Sequence, residues 1–215
     1  MNIDEILRKD IKSSLTKSGL LLFLAGFMLF MGIITGEIFF KKNYNTRDSY
    51  ISELGAPLPP ETVAAEPSAA IFNYTMIISG LMIIVATYFI QRIFKKLLTT
   101  IPLGLYGLGI FGVGIFPGNI APWHGIFALV LFIAGGLGAI TSYKILSAPL
   151  RYIFIFLGIV TLVFLAGYKY FIPSLGVGGA ERWVFYPTLF WITGMGSYLL
   201  GVKDEYKRSS HVKPE

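Results

Sequence analysis

The sequence has 215 residues, of which 54% are hydrophobic and 14% are charged, with a mean hydropathy of +0.68. Soluble domains carry about 25% charged residues, so this composition excludes an ordinary soluble globular protein. The net charge is +6 and there are no cysteines, which excludes disulfides, thiolate nucleophiles and cysteine-bound metals. In a membrane protein such a basic excess indicates basic cytoplasmic loops rather than a nucleic-acid partner.

Six continuously apolar segments of 16 to 24 residues follow one another along the chain, close to the length of about 20 residues with which a helix crosses a bilayer. Strands of a membrane barrel would be about ten residues long and would alternate in polarity. The sequence therefore predicts an all-α integral membrane bundle of six transmembrane helices. The predicted spans are residues 18–40, 70–91, 101–116, 123–146, 152–171 and 183–202.

The organisation that follows is a transmembrane domain over residues 18–202, with an outer loop at 41–69. Residues 1–17 and 203–215 form a cytoplasmic N-terminal segment and a cytoplasmic tail. Thirteen of the eighteen Lys and Arg residues flank the spans on the side of the two termini. Because basic residues concentrate in cytoplasmic loops, we expect both termini in the cytoplasm and the protein in the cell (plasma) membrane.

Span three carries Gly104, Gly107 and Gly114 at helical spacing. Small residues let membrane helices approach closely, since lipid supplies no hydrophobic drive between helices. These glycines predict a compact bundle. The alternative is a ligand cleft or hinge along the same face.

Polar residues within or near the spans gather at the predicted outer ends. Such residues are costly in a bilayer and mark functional sites by default. They are candidates for a shared outward-facing site, which would be either a binding pocket or a polar plug that ties the outer loop to the bundle. The candidate ligand-binding residues are Glu37, Asn73, Asn119, Glu181, Arg182 and Tyr186, and the loop adds Ser52 and Glu53.

His124 is the one histidine outside the tail, and imidazole can serve as acid, base or ligand near neutral pH. It could simply hydrogen-bond a neighbouring loop. Together with Ser52 and a glutamate such as Glu53, His124 would suit nucleophilic catalysis. Together with several glutamates, it could form a carboxylate-rich metal site. A lone histidine cannot form the usual multi-histidine zinc site. We predict no cofactor and no metal, and whether the protein is an enzyme stays open.

Glu37 lies in the last turn of span one on the face of Gly26, which predicts a carboxylate buried in the bundle with a hydrogen-bond partner. Glu181 and Arg182 begin span six and are predicted to form a salt bridge that caps the helix. Arg182 could instead hold a phosphate headgroup, since guanidinium pairs with phosphate in bidentate fashion.

Several short motifs resemble those of an uncharacterised prokaryotic family of six-span membrane proteins, known only as a domain of unknown function. The motifs are YISELGAP at 50–57, Phe72-Asn73, GIFP at 114–117 followed by His124, and GAER at 179–182. The ISELG segment is also reminiscent of the Frag/DRAM/Sfk-like membrane proteins, although the loop cysteines of the DRAM-like members are missing. The resemblance spans about residues 19–201. It implies six helices and an outward-facing polar site of Ser52, Glu53, Asn73, His124 and Arg182.

Because the Frag/DRAM/Sfk-like proteins are associated with lipid remodelling, the leading functional expectation is a lipid-interacting protein. Its outward-facing pocket would hold a phospholipid-type headgroup and bind, move or modify that lipid. The alternative is a non-catalytic accessory subunit that packs against other membrane subunits. A small transporter is the third expectation and the least favoured, because the sequence shows no broken-helix pair.

Overall fold

The computed structural model describes residues 3–40, 44–56 and 65–209. Lys41, Lys42, Lys213, Glu61 and Ser210 fall outside the described residues.

Helices account for most of the described chain, and no strand occurs among these residues, which confirms the all-α prediction. Two short 3₁₀ turns at Ile51–Leu54 and Ser142–Lys144 join the longer elements. The six α-helices are α1 Ile3–Phe39, α2 Ser68–Phe94, α3 Leu97–Ile115, α4 Trp123–Thr141, α5 Leu150–Ala166 and α6 Tyr168–Ser209. Helix α1 thus continues the predicted N-terminal segment and the first span without a break.

Four of these helices, α1 to α4, are long and apolar enough to cross a membrane. Helices α5 and α6 satisfy the same test only together and are bent by 97° where they meet, so they would bring the number to five as one broken span. The chain is therefore a multi-pass helical membrane protein. The expectation that no broken-helix pair occurs is wrong, because Gly167 ends α5 and the chain turns sharply there.

A second irregularity lies inside α6, at Gly176, whose φ of 74° and ψ of 171° are open in practice only to glycine. The predicted loop before span six is instead helical on both sides of this residue. The break lets the chain pass close to the first loop, and the backbone N–H groups of Gly178 and Gly179 donate to the Arg47 carbonyl at 2.8 and 3.2 Å. The Arg47 carbonyl therefore serves as the acceptor for two N–H groups at the start of the helical segment that follows Gly176.

The six helices form a closed ring in which each packs against the next and α6 returns to α1, while α4 also contacts α6. The interior is filled by large side chains, among which Tyr106 and Trp191 meet edge to face with ring centroids 5.6 Å apart. The Tyr106 hydroxyl lies 2.9 Å from Thr188 Oγ1, so this buried phenol has a polar partner.

Glycines bring the neighbouring helix backbones together, as the compact-bundle prediction expected. A Cβ atom at Gly80 of α2 would lie 2.5 Å from the Phe111 nitrogen and 2.8 Å from the Gly107 oxygen of α3. A Cβ at Gly196 of α6 would lie 2.7 Å from the Gly19 oxygen of α1. The glycine face of α3 is therefore a helix-packing surface.

Candidate functional site

Residues 44–56, here called the strap, fold back over the end of the bundle where α1 ends and α2 begins. The strap starts with an Asx turn in which Asn45 Oδ1 accepts hydrogen bonds from the Arg47 and Asp48 nitrogens at 3.0 and 2.8 Å. This turn exposes the backbone carbonyls of the strap toward α6. The strap is thus shaped to meet a hydrogen-bond donor on that helix.

That donor is Arg182, which is only 8% exposed. Its Nη1 donates to the carbonyl oxygens of Thr46 at 2.9 Å, Ser49 at 3.1 Å and Gly178 at 3.0 Å. Arginine suits this position because its planar fork presents several donors in fixed directions. The Nη1 group therefore fastens the strap to α6.

The second terminal nitrogen, Nη2, extends the same cluster to α1. It donates to Glu37 Oε1 at 2.7 Å, which is an ion pair, and to the Tyr44 hydroxyl at 2.7 Å. The Tyr44 hydroxyl in turn donates to the Tyr50 carbonyl at 3.2 Å. Burial raises the pKa of the Tyr44 phenol, so the hydroxyl keeps its proton and can fill both roles.

Two sequence expectations are settled by these contacts. Glu37 has the predicted hydrogen-bonded protein partner, but its side chain is 24% exposed and therefore only partly buried. The predicted Glu181–Arg182 pair is wrong, because Arg182 pairs with Glu37 instead. Consecutive helical residues point about 100° apart, so the two side chains face different neighbours.

Asn73 and Ser68 hold the other end of the strap against α2. Asn73 Nδ2 donates to the Gly55 carbonyl at 3.0 Å, and Ser68 Oγ donates to the Leu54 carbonyl at 3.1 Å. Together with Arg182, these contacts tie both ends of the strap to the helices.

The middle of the strap covers a small cavity of about 20 Å³, here called the chamber, whose polar lining residues are Ser52, His124 and Glu181. Glu181 Oε2 accepts a hydrogen bond from the Ile51 nitrogen at 2.5 Å, at the start of the 3₁₀ turn. Glu53 does not line the chamber, and its Oε1 accepts from the Tyr50 nitrogen at 3.0 Å as a cap of its own turn. Glu181 is therefore the carboxylate that accompanies Ser52 and His124.

His124 Nδ1 lies 2.8 Å from the Phe116 carbonyl oxygen. A carbonyl can only accept, so Nδ1 carries the proton in the neutral imidazole and Nε2 has the free lone pair of a base or acceptor. Ser52 and His124 share the chamber without a direct hydrogen bond among the described contacts. A cavity of this size has room for about one water molecule, so a larger ligand would enter the chamber only if the strap moved.

Asn119 and Tyr186 stand apart from the chamber. Asn119 is exposed on the turn between α3 and α4. Tyr186 lies one helical turn beyond Arg182 and meets Phe30 edge to face at 6.2 Å. The structure thus brings together the polar residues of α1, α2, α4, α6 and the strap, and leaves Asn119 outside.

A larger apolar groove, which we call the lateral groove, opens between α5 and α6 beside this cluster. Its volume is about 300 Å³, and it is lined by Leu157, Arg182, Trp183, Tyr186, Pro187 and Phe190. The sequence did not point to Trp183, Leu157 or Tyr44 as site residues. Leu157 of α5 and Phe190 of α6 both line this groove.

Among the described residues, no three His, Asp or Glu side chains are placed to hold a metal ion.

Comparison with known proteins identifies one family. Residues 24–198 match the family described as a protein of unknown function, DUF998. No curated protein and no solved structure matches the chain. The match covers most of the sequence, including every candidate site residue, and the chain belongs to the DUF998 family.

Proposed function

We propose that this protein binds a membrane lipid, with an acyl chain in the lateral groove between α5 and α6 and the polar part of the lipid toward Arg182. The observation that carries the proposal is the groove itself, a space of about 300 Å³ with apolar walls and a single charged residue in its lining. The proposal is one of binding and assigns no reaction.

The order of the lining residues along α6 supports this orientation. Arg182 and Phe190 are eight residues apart, which is about 12 Å along a helix. Trp183 and Tyr186, which prefer the headgroup level of a bilayer, lie on the Arg182 side, while Pro187 and Phe190 are deeper. Polarity therefore falls along the groove in the direction in which it falls along a lipid.

Arg182 does not offer its terminal nitrogens to a phosphate, because Glu37, Tyr44 and the strap carbonyls already occupy them. The polar cluster thus supports the hypothesis that the polar residues form a plug that ties the strap to the bundle. The proposed lipid site is the lateral groove beside this cluster.

The proposal includes six spans with both termini in the cytoplasm. It is supported by six apolar segments, by α5, which at 17 residues is close to spanning length, and by the thirteen basic residues on the side of the termini.

We expect cysteines introduced at Lys12 and Ser210 to be shielded from a membrane-impermeant thiol reagent in intact cells, and one at Glu61 to react. The native chain has no cysteine, so each signal reports one position. Labelling at position 12 without labelling at 61 would reverse the orientation.

The accessory-subunit alternative relied on glycine faces that would pack against partners. Gly80, Gly107 and Gly196 pack within the bundle instead, whereas Gly201 meets nothing within 4 Å, so that alternative loses most of its glycine surface. The bent α5–α6 pair favours the transporter alternative, because bent or broken helices form many transport sites. The polar residues nevertheless cluster at one end of the bundle rather than at its middle.

Native mass spectrometry of the purified protein separates these functions. We expect a lipid mass to remain on the chain after mild detergent removal, because the groove shields an acyl chain from competing detergent. A co-purifying membrane subunit on a lipid-free chain would favour the accessory role and contradict the lipid proposal.

A further inference from the structure

A second apolar groove lies on the opposite side of α6, between that helix and α1. Its volume is about 160 Å³, and its α1 wall consists of Phe23, Gly26, Phe27 and Phe30. The absence of a side chain at Gly26 brings α1 close to Thr193 of α6 at the floor of this groove. We call it the α1 groove.

The α1 groove and the lateral groove share two lining residues, Tyr186 and Phe190. These residues are four apart on α6 and therefore lie one above the other on the same face of the helix. Phe190 is 60% exposed, so its ring stands out from the surface. Tyr186 and Phe190 thus form a ridge with an apolar groove on each side.

We infer that the lipid bound by this protein has two acyl chains, which straddle the Tyr186–Phe190 ridge with one chain in each groove. The inference rests on the proposed function and adds the chain number of the lipid. The ridge enters the fork between the two chains, and the polar linkage that joins the chains lies above the ridge, toward Arg182.

The charge of the lining agrees with this placement. Neither groove is lined by a carboxylate, and Arg182 is the one charged residue in their described linings. Its Nε–H group is buried and has no acceptor among the described residues, although both terminal nitrogens are engaged. A buried donor without a partner costs about 1–3 kcal/mol, and an ester or phosphate oxygen that reached this end of the grooves would offer it an acceptor.

Two linked chains bind such paired grooves better than separate ones do. Once the first chain is in place, the second is held at a high effective concentration, which raises affinity without new contacts. Each groove alone would take a single-chain lipid or a detergent. The pair on one ridge therefore selects for the linked form.

The test compares phosphatidylglycerol with lysophosphatidylglycerol, which carries the same headgroup and one chain. The full chain is purified, stripped of lipid in detergent and titrated with each, and bound lipid is counted by native mass spectrometry. We expect the two-chain lipid to bind at least about tenfold more tightly. Equal affinities would overturn the inference while leaving lipid binding in place, and the failure of both lipids to bind would remove the proposed function as well.

A pair of variants locates the second chain. Thr193→Leu adds bulk to the α1 groove, whereas Ser197→Leu places the same leucine side chain one turn further along α6, at an exposed position that lines neither groove. We expect Thr193→Leu to abolish the preference for two chains and to keep binding of the lysolipid, and Ser197→Leu to keep both. Preservation of the preference in Thr193→Leu would overturn the inference. So would a lipid-free dimer mass in the wild type, which would mean that a second copy of the chain covers the ridge.

Discussion

Replacing Arg182 by alanine is expected to lower the free energy of unfolding by up to about 3–5 kcal/mol, because the change removes one partner of a largely buried ion pair. The Glu37 carboxylate would be left without its cation, and the Thr46 and Ser49 carbonyls without their donor. For a chain of this size the loss corresponds to a fall of roughly 6–20 °C in Tm. Thermal unfolding in detergent, followed by tryptophan fluorescence, measures it.

The chain supplies a matched control in the Arg92–Asp10 pair. Its N–O distance of 2.8 Å nearly equals the 2.7 Å of the Arg182–Glu37 pair. Its side chains are 47% and 54% exposed, against 10% and 24% for the buried pair. An exposed pair contributes about 0–1 kcal/mol, so Arg92→Ala should change Tm little. Equal Tm values for the two variants, with and without added lipid, would show that Arg182 does not fasten the strap.

Gly80→Ala is expected to destabilise the bundle by about 1–3 kcal/mol, because the added methyl group meets backbone atoms of α3 that cannot rotate away. The Phe111 nitrogen lies 2.5 Å from the position of the new Cβ. The two helices would have to separate along their contact. The same unfolding experiment measures the loss.

Gly201→Ala is the control, since a Cβ there meets nothing within 4 Å and the residue lies inside α6. Alanine is the better helix former by about 0.5–1 kcal/mol, so this variant should be slightly more stable than the wild type. The two glycine substitutions should therefore act in opposite directions. Destabilisation by both, to the same degree, would contradict the packing argument.

The helices were predictable because long apolar segments leave the backbone no partner except itself in a bilayer. The gathering of polar residues at one end was predictable for the same reason. The partners of Arg182 were not, since three of its five acceptors are backbone carbonyls, which carry no signal in the sequence. The carboxylate that pairs with it, Glu37, lies 145 residues away along the chain.

The two glutamates near the chamber, Glu53 and Glu181, also show which side-chain contacts the sequence could not predict. Glu53 lies next to Ser52 in the sequence and was the natural companion for it, but its carboxylate turns back to cap the 3₁₀ turn. Glu181 reaches the chamber because the α6 helix restarts after Gly176, which glycine and proline near 173–179 only weakly indicated. The lateral groove depends on a different break, the turn at Gly167 that joins α5 to α6.

Lipid occupancy after filling the lateral groove tests the central claim most directly. Leu157→Trp fills the groove, whereas Ile159→Trp places the same ring two residues along α5, at an exposed position outside its lining. In native mass spectrometry we expect the affinity for lipid to fall about tenfold for Leu157→Trp, equivalent to about 1.4 kcal/mol of binding free energy, and to be unchanged for Ile159→Trp. Equal lipid occupancy in the two variants would contradict a lipid site between α5 and α6.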